Sequence, residues 1–360
     1  MYGIDTFAVN CWSVAAASSS VSRGALLPMM LAGKPIVLFR NPDGQVVALE
    51  DRCVHRQAPL SLGRLEPRGL RCLYHGLLFG PDGRCLEIPG QDRIPPTFSV
   101  VSYPVLERYG WIWVWPGDAT RADPAMLPGT IAGDHPEWIT AQAHLDFSAH
   151  YTLITDNLLD FSHLSYVHEK SFRADPKWAT VRPSIKSLPN GLRISRWIAG
   201  APALMSARQM AGQMADTWQS YDFLAPGVLI METFYCALGT AEASGFERPE
   251  AGILVRNCAS QTVTATTQRT SRYFYAVALP VGETTQDACD KILEVSRSAF
   301  LEDKAIIEGQ QQRIDLDPGR SPLPTTADGG IARFHRILRR LSGDNISADP
   351  GMGEIAEQIR

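Results

Sequence analysis

The sequence predicts an α+β protein in two parts: an antiparallel β domain, then a larger domain in which helices pack on an antiparallel sheet. Three observations predict this. Between Pro35 and Trp115, short runs of β-branched and aromatic residues alternate with Asp-Gly turns. Between Val228 and Leu279 the strand-like runs lengthen, and from Gln286 onward apolar residues recur at helical spacing. Strands followed by helices, rather than alternating with them, fit α+β layering. A chain of 360 residues, 45% hydrophobic and 20% charged, is long enough for two cores.

In chain order, the opening MYGIDTFAVNCWSVAAASSS clusters Ala and Ser but lacks a basic n-region and a continuous apolar stretch. It reads as a first strand and turn rather than a secretion signal. The runs PIVLFR and QVVALE flank Asp43-Gly44, and LLFG and RCLEI flank Asp82-Gly83, giving two hairpins. Tyr109 to Trp115 forms a strand closed by Pro116-Gly117; its tryptophans alternate at period two, so they read as core rather than as a ligand-stacking surface. Residues 118–136, rich in Asp, Pro and Gly, read as a linker, dividing the chain into 1–120 and 121–360. Beyond it, Leu153 to His168 looks helical, Val228 to Ala237 and Gly252 to Leu279 look like strands, and Gln286 to Gln312 is a long helix. Ile331, Phe334, Ile337, Leu338 and Leu341 mark a last one.

A net charge of −4 without a Lys/Arg run excludes a nucleic-acid field. No apolar run reaches the length that spans a bilayer, so a cytoplasmic protein with no membrane partner is expected. Seven scattered cysteines, an odd count, do not form a disulfide framework and suit a reducing compartment.

The stretch Asp51 to Gly76 concentrates the chemistry. It holds Cys53-x-His55, then sixteen residues, then Cys72-x-x-His75. Each loop delivers one thiolate and one imidazole, the ligand set of a Rieske [2Fe–2S] centre, with Cys53 and Cys72 on one iron and His55 and His75 on the other. A zinc finger usually groups its cysteines in one pair and its histidines in the other, which makes a zinc scaffold the weaker alternative. Neutral imidazoles on the outer iron raise the potential and give one electron a route out, with His75 the expected exit.

A second polar cluster lies in Thr155 to His168. Asn157, Asp160 and His163 share a helical face at steps of three. His163 and His168, five apart, are turned by ~140° on an ideal helix, so a π-bulge or a helix end must bring them together. In the long helix, Asp303 falls in the middle of an apolar face made by Ile292, Val295, Ala299, Phe300, Ile306 and Ile307, while Glu302 and Glu308 read as solvated. A buried carboxylate needs a partner or a metal. Two histidines and one carboxylate form the facial triad of a non-haem Fe(II) oxygenase.

Together these motifs resemble the terminal oxygenase component of Rieske non-haem iron oxygenases, and within them the vanillate O-demethylase group, which includes dicamba-type demethylases. The matched features are the two cluster pairs, Asn157-Leu-Leu-Asp160-x-x-His163-x4-His168, and Glu302-Asp303-Lys304 ahead of Gln310-Gln311. One departure is Cys72-Leu73-Tyr74-His75-Gly76-Leu77, where many relatives have Cys-Pro-Tyr-His-Gly-Trp; no ligand is lost. The cluster loops hold no spare cysteine for an extra disulfide, so a potential near the lower end is expected.

The resemblance implies a Rieske domain followed by a helix-grip (START-like) catalytic domain, in a head-to-tail homotrimer. It implies an NAD(P)H-dependent reductase or ferredoxin as electron donor, since the chain has no flavin motif. It places Asn157 and Asp160 in the catalytic machinery, Asp160 linking His75 to His163 of a neighbouring subunit. His163, His168 and Asp303 become the iron ligands, and Met231 and Gln261 substrate contacts. The implied reaction uses O2 to hydroxylate a C–H bond; at an O-methyl carbon the hemiacetal collapses to a phenol and formaldehyde. Few Arg or Lys anchors point to a small, neutral or weakly polar methoxylated aromatic. N-dealkylation, or hydroxylation of a methyl or ring carbon, is the rival within enzymes. A Rieske electron carrier is the rival outside them, separated by about two irons per chain against about three.

Overall fold

The computed structural model describes residues 7–130, 136–282 and 284–342. The first six residues of the opening stretch and residues 131–135 of the expected linker lie outside them. Ten strands precede residue 115: β1 Ser13–Ala17, β2 Leu27–Leu31, β3 Lys34–Arg40, β4 Val46–Glu50, β5 Arg64–Glu66, β6 Gly69–Arg71, β7 Leu78–Phe79, β8 Cys85–Glu87, β9 Val105–Arg108 and β10 Trp111–Val114. They form three small antiparallel sheets, ordered β1-β10-β9, β2-β3-β4 and β5-β6-β7-β8. Both expected hairpins are present, and their turn glycines adopt the left-handed backbone: Gly44 at φ +85° and Gly83 at φ +81°.

The tryptophan strand has a buried side chain at every position, so alternation separates two cores rather than core from solvent. Ile112 and Val114 pack with Ile36 and Leu38 inside the N-terminal part. Trp111, Trp113 and Trp115 pack with Val228, Phe274 and Ala276 of the following sheet. The aromatic ridge therefore joins the two parts.

Beyond two 3₁₀ turns capped by Asp118 and Asp123, seven strands form one antiparallel sheet. They are β11 Trp138–Phe147, β12 Ser184–Leu188, β13 Gly191–Pro202, β14 Met214–Leu224, β15 Val228–Cys236, β16 Ile253–Thr267 and β17 Thr270–Pro280, in the order β11-β17-β16-β15-β14-β13-β12. Between β11 and β12 run α1 Tyr151–Leu159, α2 Leu164–Val167 and α3 Lys177–Thr180; α4 Thr240–Ala243 follows β15. The long helix α5 Gln286–Leu316 crosses β11 and β17, and α6 Gly329–Ser342 docks on α1 and β13. No helix among the described residues is long and apolar enough to cross a membrane.

Two expectations are corrected here. The helix read from Leu153 to His168 stops at Leu159, because Asp160 leaves the helical region (φ −127°, ψ 97°) and its carboxylate caps the next 3₁₀ turn, Phe161–His163, by accepting from the Ser162 N–H. On α5, Ile306 is 59% exposed rather than on the apolar face. The buried stripe runs through Ile292, Ser296, Ala299, Phe300, Asp303 and Ile307, steps of three and four that leave Ile306 outside.

Candidate metal centres and active site

The two cluster loops are built alike. Cys53 and Cys72 are buried and His55 and His75 exposed, with the imidazole centroids 4.5 Å apart. Four residues after each cysteine the chain turns back: the Gln57 N–H donates to the Cys53 carbonyl at 2.8 Å and the Gly76 N–H to the Cys72 carbonyl at 2.9 Å. Both residues take positive φ, +58° at Gln57 and +79° at Gly76. At Gly76 a Cβ would also lie 2.8 Å from Pro89 Cγ, so glycine is required there. Burial pushes the Cys53 thiol up to about 11, aided by the adjoining Cys72 thiol and opposed by the backbone N–H groups of His55 and Arg56. Paired thiols inside, paired imidazoles outside and N–H groups aimed at a sulfur fit the [2Fe–2S] group. Arg71 braces the second loop: it donates to the Gly76 carbonyl at 2.6 Å and pairs with Glu66 and Glu87.

The second site is assembled from α1, the turns after it, and α5. With the helix ended at Leu159, the following 3₁₀ turn and α2 carry His163 and His168 to one point, where Asp303 meets them from α5. The three ligand atoms lie within 4.8 Å of one another. His163 Nε2 is 3.4 Å from Asp303 Oδ1, and His168 Nε2 is 3.3 Å from Asp303 Oδ2. Both Nε2 atoms face the same carboxylate because both Nδ1 atoms are engaged behind: His163 Nδ1 with the Asp160 carbonyl at 2.6 Å, and His168 Nδ1 with Glu302 Oε2 at 3.0 Å. Such partners fix the tautomer and leave Nε2 for a metal. Two histidines and one carboxylate, with open positions toward a cavity, fit Fe(II).

The electrostatics of the two imidazoles differ. Burial holds His163 below the usual range despite Asp303. At His168 burial acts the same way, but the hydrogen bonds and charges of Asp303 and Glu302 outweigh it and raise its pKa.

Asn157 stands beside the ligands, its Nδ2 donating to Asp303 Oδ1 at 3.1 Å and lying 3.5 Å from His163 Nε2. Asp160 lies at the same site, but within the chain it holds His163 through its main-chain carbonyl, while its carboxylate accepts from the Ser162 N–H and hydroxyl, both at 2.9 Å. Met231 and Gln261 both line the cavity, and Gln261 Oε1 accepts from the Tyr273 hydroxyl at 2.7 Å.

Glu302 and Glu308 are not merely solvated, contrary to the sequence expectation. Glu302 accepts from Ser171 Oγ at 2.6 Å as well as holding His168. Glu308 pairs with Lys304 and accepts from the Ser148 N–H at 2.7 Å. The adjacency of Glu302 to Asp303 is the one sequence signal that could have marked it.

The cavity over the three candidate ligands has a volume of about 100 Å³. Apolar side chains such as Phe161, Phe172, Leu204 and Phe300 dominate it, and among the described residues no Lys or Arg lines it.

Residues 147–343 match the vanillate O-demethylase oxygenase C-terminal domain, and residues 11–104 the Rieske [2Fe-2S] domain. The chain is similar to the toluene-4-sulfonate monooxygenase system iron-sulfur subunit of Comamonas testosteroni, with 38% identity covering 93% of this chain and 97% of that protein. It is 31% identical to the vanillate O-demethylase oxygenase subunit of a Pseudomonas strain, over 96% of this chain and 98% of the other. The fold matches the crystal structure of dicamba monooxygenase bound to 3,6-dichlorosalicylic acid, with a TM-score of 0.82 and 28% identity, covering 94% and 98% of the two chains.

Proposed function

Because the chain belongs to the vanillate O-demethylase family of Rieske non-haem iron oxygenases, as an oxygenase component, we propose that it catalyses the oxidative O-demethylation of a small methoxylated aromatic. The observation that carries this reading is the apolar cavity, with no Lys or Arg among its described lining residues, that ends on His163, His168 and Asp303. The iron, when bound there, supplies the dioxygen-activating redox chemistry.

The chain's own residues do the rest. Glu302 and the Asp160 carbonyl keep both imidazoles presenting Nε2. Asn157 holds one Asp303 oxygen by a hydrogen bond, leaving the other free to ligate. Phe161, Phe172 and Phe300 exclude water around the methoxy carbon, and Met231 packs on the ring. Gln261, whose Oε1 is engaged by Tyr273, has its NH2 to offer an oxygen substituent of the ring. Residues 1–120 take electrons in at the cluster from an NAD(P)H-dependent reductase or ferredoxin, and residues 121–360 carry out the oxidation. In a head-to-tail homotrimer, His75 of one subunit reaches Asp160 and His163 of the next; the exposure of both cluster histidines supports that path.

Hydroxylation of a ring methyl is the second reading, favoured by the 38% identity to a toluene-4-sulfonate monooxygenase subunit. Oxygen uptake and formaldehyde release, measured with a generic reductase and NADH against methoxy-, N-alkyl- and methyl-aromatics, separate them. Formaldehyde equal to the methoxyarene consumed supports demethylation. A benzylic alcohol without formaldehyde moves the reaction to hydroxylation.

A further inference from the structure

Beneath the break that ends α1 lies a buried cation with no role in the site so far. Arg196, on β13, is 5% exposed, and among the described residues no carboxylate forms an ion pair with it. Its Nε and Nη2 are buried without hydrogen-bond partners. Its guanidinium carbon lies 5.8 Å from the Phe161 ring centre and 5.9 Å from that of Trp178. A guanidinium cannot shed its charge in a protein, so this arrangement is costly and calls for a compensating interaction.

The register supplies one. Arg196 pairs across the strands with Gln219, and Tyr221 lies two residues along β14 on the same face. The Tyr221 hydroxyl donates to the carbonyl of Leu159, the last residue of α1, at 3.3 Å, and its ring lies 4.9 Å from that of Phe161. Burial works against the Arg196 charge, while Tyr221 and then the Asp160 carboxylate favour it. The guanidinium, the tyrosine and the Phe161 and Trp178 rings thus cluster at residues 159–161, where the chain leaves the helix.

We propose that Arg196 is a positioning residue for electron transfer into the iron site: with Tyr221 it holds the Leu159–Asp160 peptide at the helix break. That fixes the Asp160 carbonyl that orients His163 and places the Asp160 carboxylate facing the incoming cluster. The electron-transfer half of this statement rests on the proposed Asp160 bridge; the hold on the helix break does not.

The test uses the intact protein, as it assembles in solution, with Arg196→Met, Arg196→Lys and Tyr221→Phe, and Asp160→Asn as control. Amide exchange of residues 158–163 is followed in iron-free protein, and reoxidation of the reduced cluster in a single turnover is measured per bound iron. Arg196→Met is expected to speed exchange at the break and slow reoxidation about tenfold with the cluster spectrum unchanged. Arg196→Lys should recover most of the rate, and Tyr221→Phe should shift both readouts the same way even if Arg196→Met folds poorly. Unchanged exchange in both Arg196→Met and Tyr221→Phe would overturn the proposal, as would an Arg196→Lys variant no better than Arg196→Met, which would make the side chain a filler. If Asp160→Asn leaves reoxidation unchanged, the bridge fails, and the exchange data still decide whether Arg196 holds the break.

Discussion

His163 and His168 owe their chemistry to what stands behind them: the Asp160 carbonyl and the Glu302 carboxylate turn both Nε2 atoms toward Asp303. Glu302→Ala should therefore weaken iron binding about tenfold to a hundredfold while leaving the cluster's visible spectrum intact. Competition with a chelator measures it, and unchanged affinity would make the Glu302 contact incidental. Asp303 was legible in the sequence because one carboxylate on an apolar helical face demands an explanation. Glu302 was not, because a helical wheel gives a direction around α5 but not the imidazole and Ser171 hydroxyl brought to it from another element. Arg196 was invisible for the same reason: its meaning depends on the α1 break above β13, a contact between segments some 35 residues apart.

At the scale of elements, the paired cluster loops were almost wholly legible, since ligand types and spacing are written in one short stretch. Their bracing was not. Arg71 joins the Gly76 carbonyl to Glu66 and Glu87, and the Arg71 guanidinium beside it holds Glu66 down to about 2. A carboxyl held below its unfolded value contributes stability above that value and loses it as pH falls through the folded one. This brace should thus weaken between pH of about 4.5 and about 2. Arg71→Met should reduce that acid dependence, Arg64 at 3.0 Å from Glu66 keeping part of it, and bleach the cluster faster on warming at neutral pH, followed by visible absorption. An equal bleaching rate in variant and parent would show that the loop stands without it. The five-residue histidine spacing demanded a distortion of the helix, and the choice between a bulge and a helix end was settled by the Asp160 backbone and cap.

For the whole molecule the question is which cluster serves which iron. Around the exposed His55 and His75, the apolar residues Leu73 and Tyr74 are 56% and 60% exposed. In a head-to-tail ring each cluster serves the next subunit's iron, and that arrangement has a consequence no single-chain path shares. A Cys72→Ser chain keeps its iron site and loses its cluster; an Asp303→Ala chain does the reverse. Neither alone can turn over. If the chain forms the proposed head-to-tail trimer, the two variants co-expressed with different tags and purified for both would form mixed rings, each with one junction where an intact cluster faces an intact iron. Such rings should recover about one site in three of the parent activity, with a mass near three chains of 39.5 kDa. If electrons instead stayed within one chain, every mixed ring would be dead, because each chain in it lacks either its cluster or its iron.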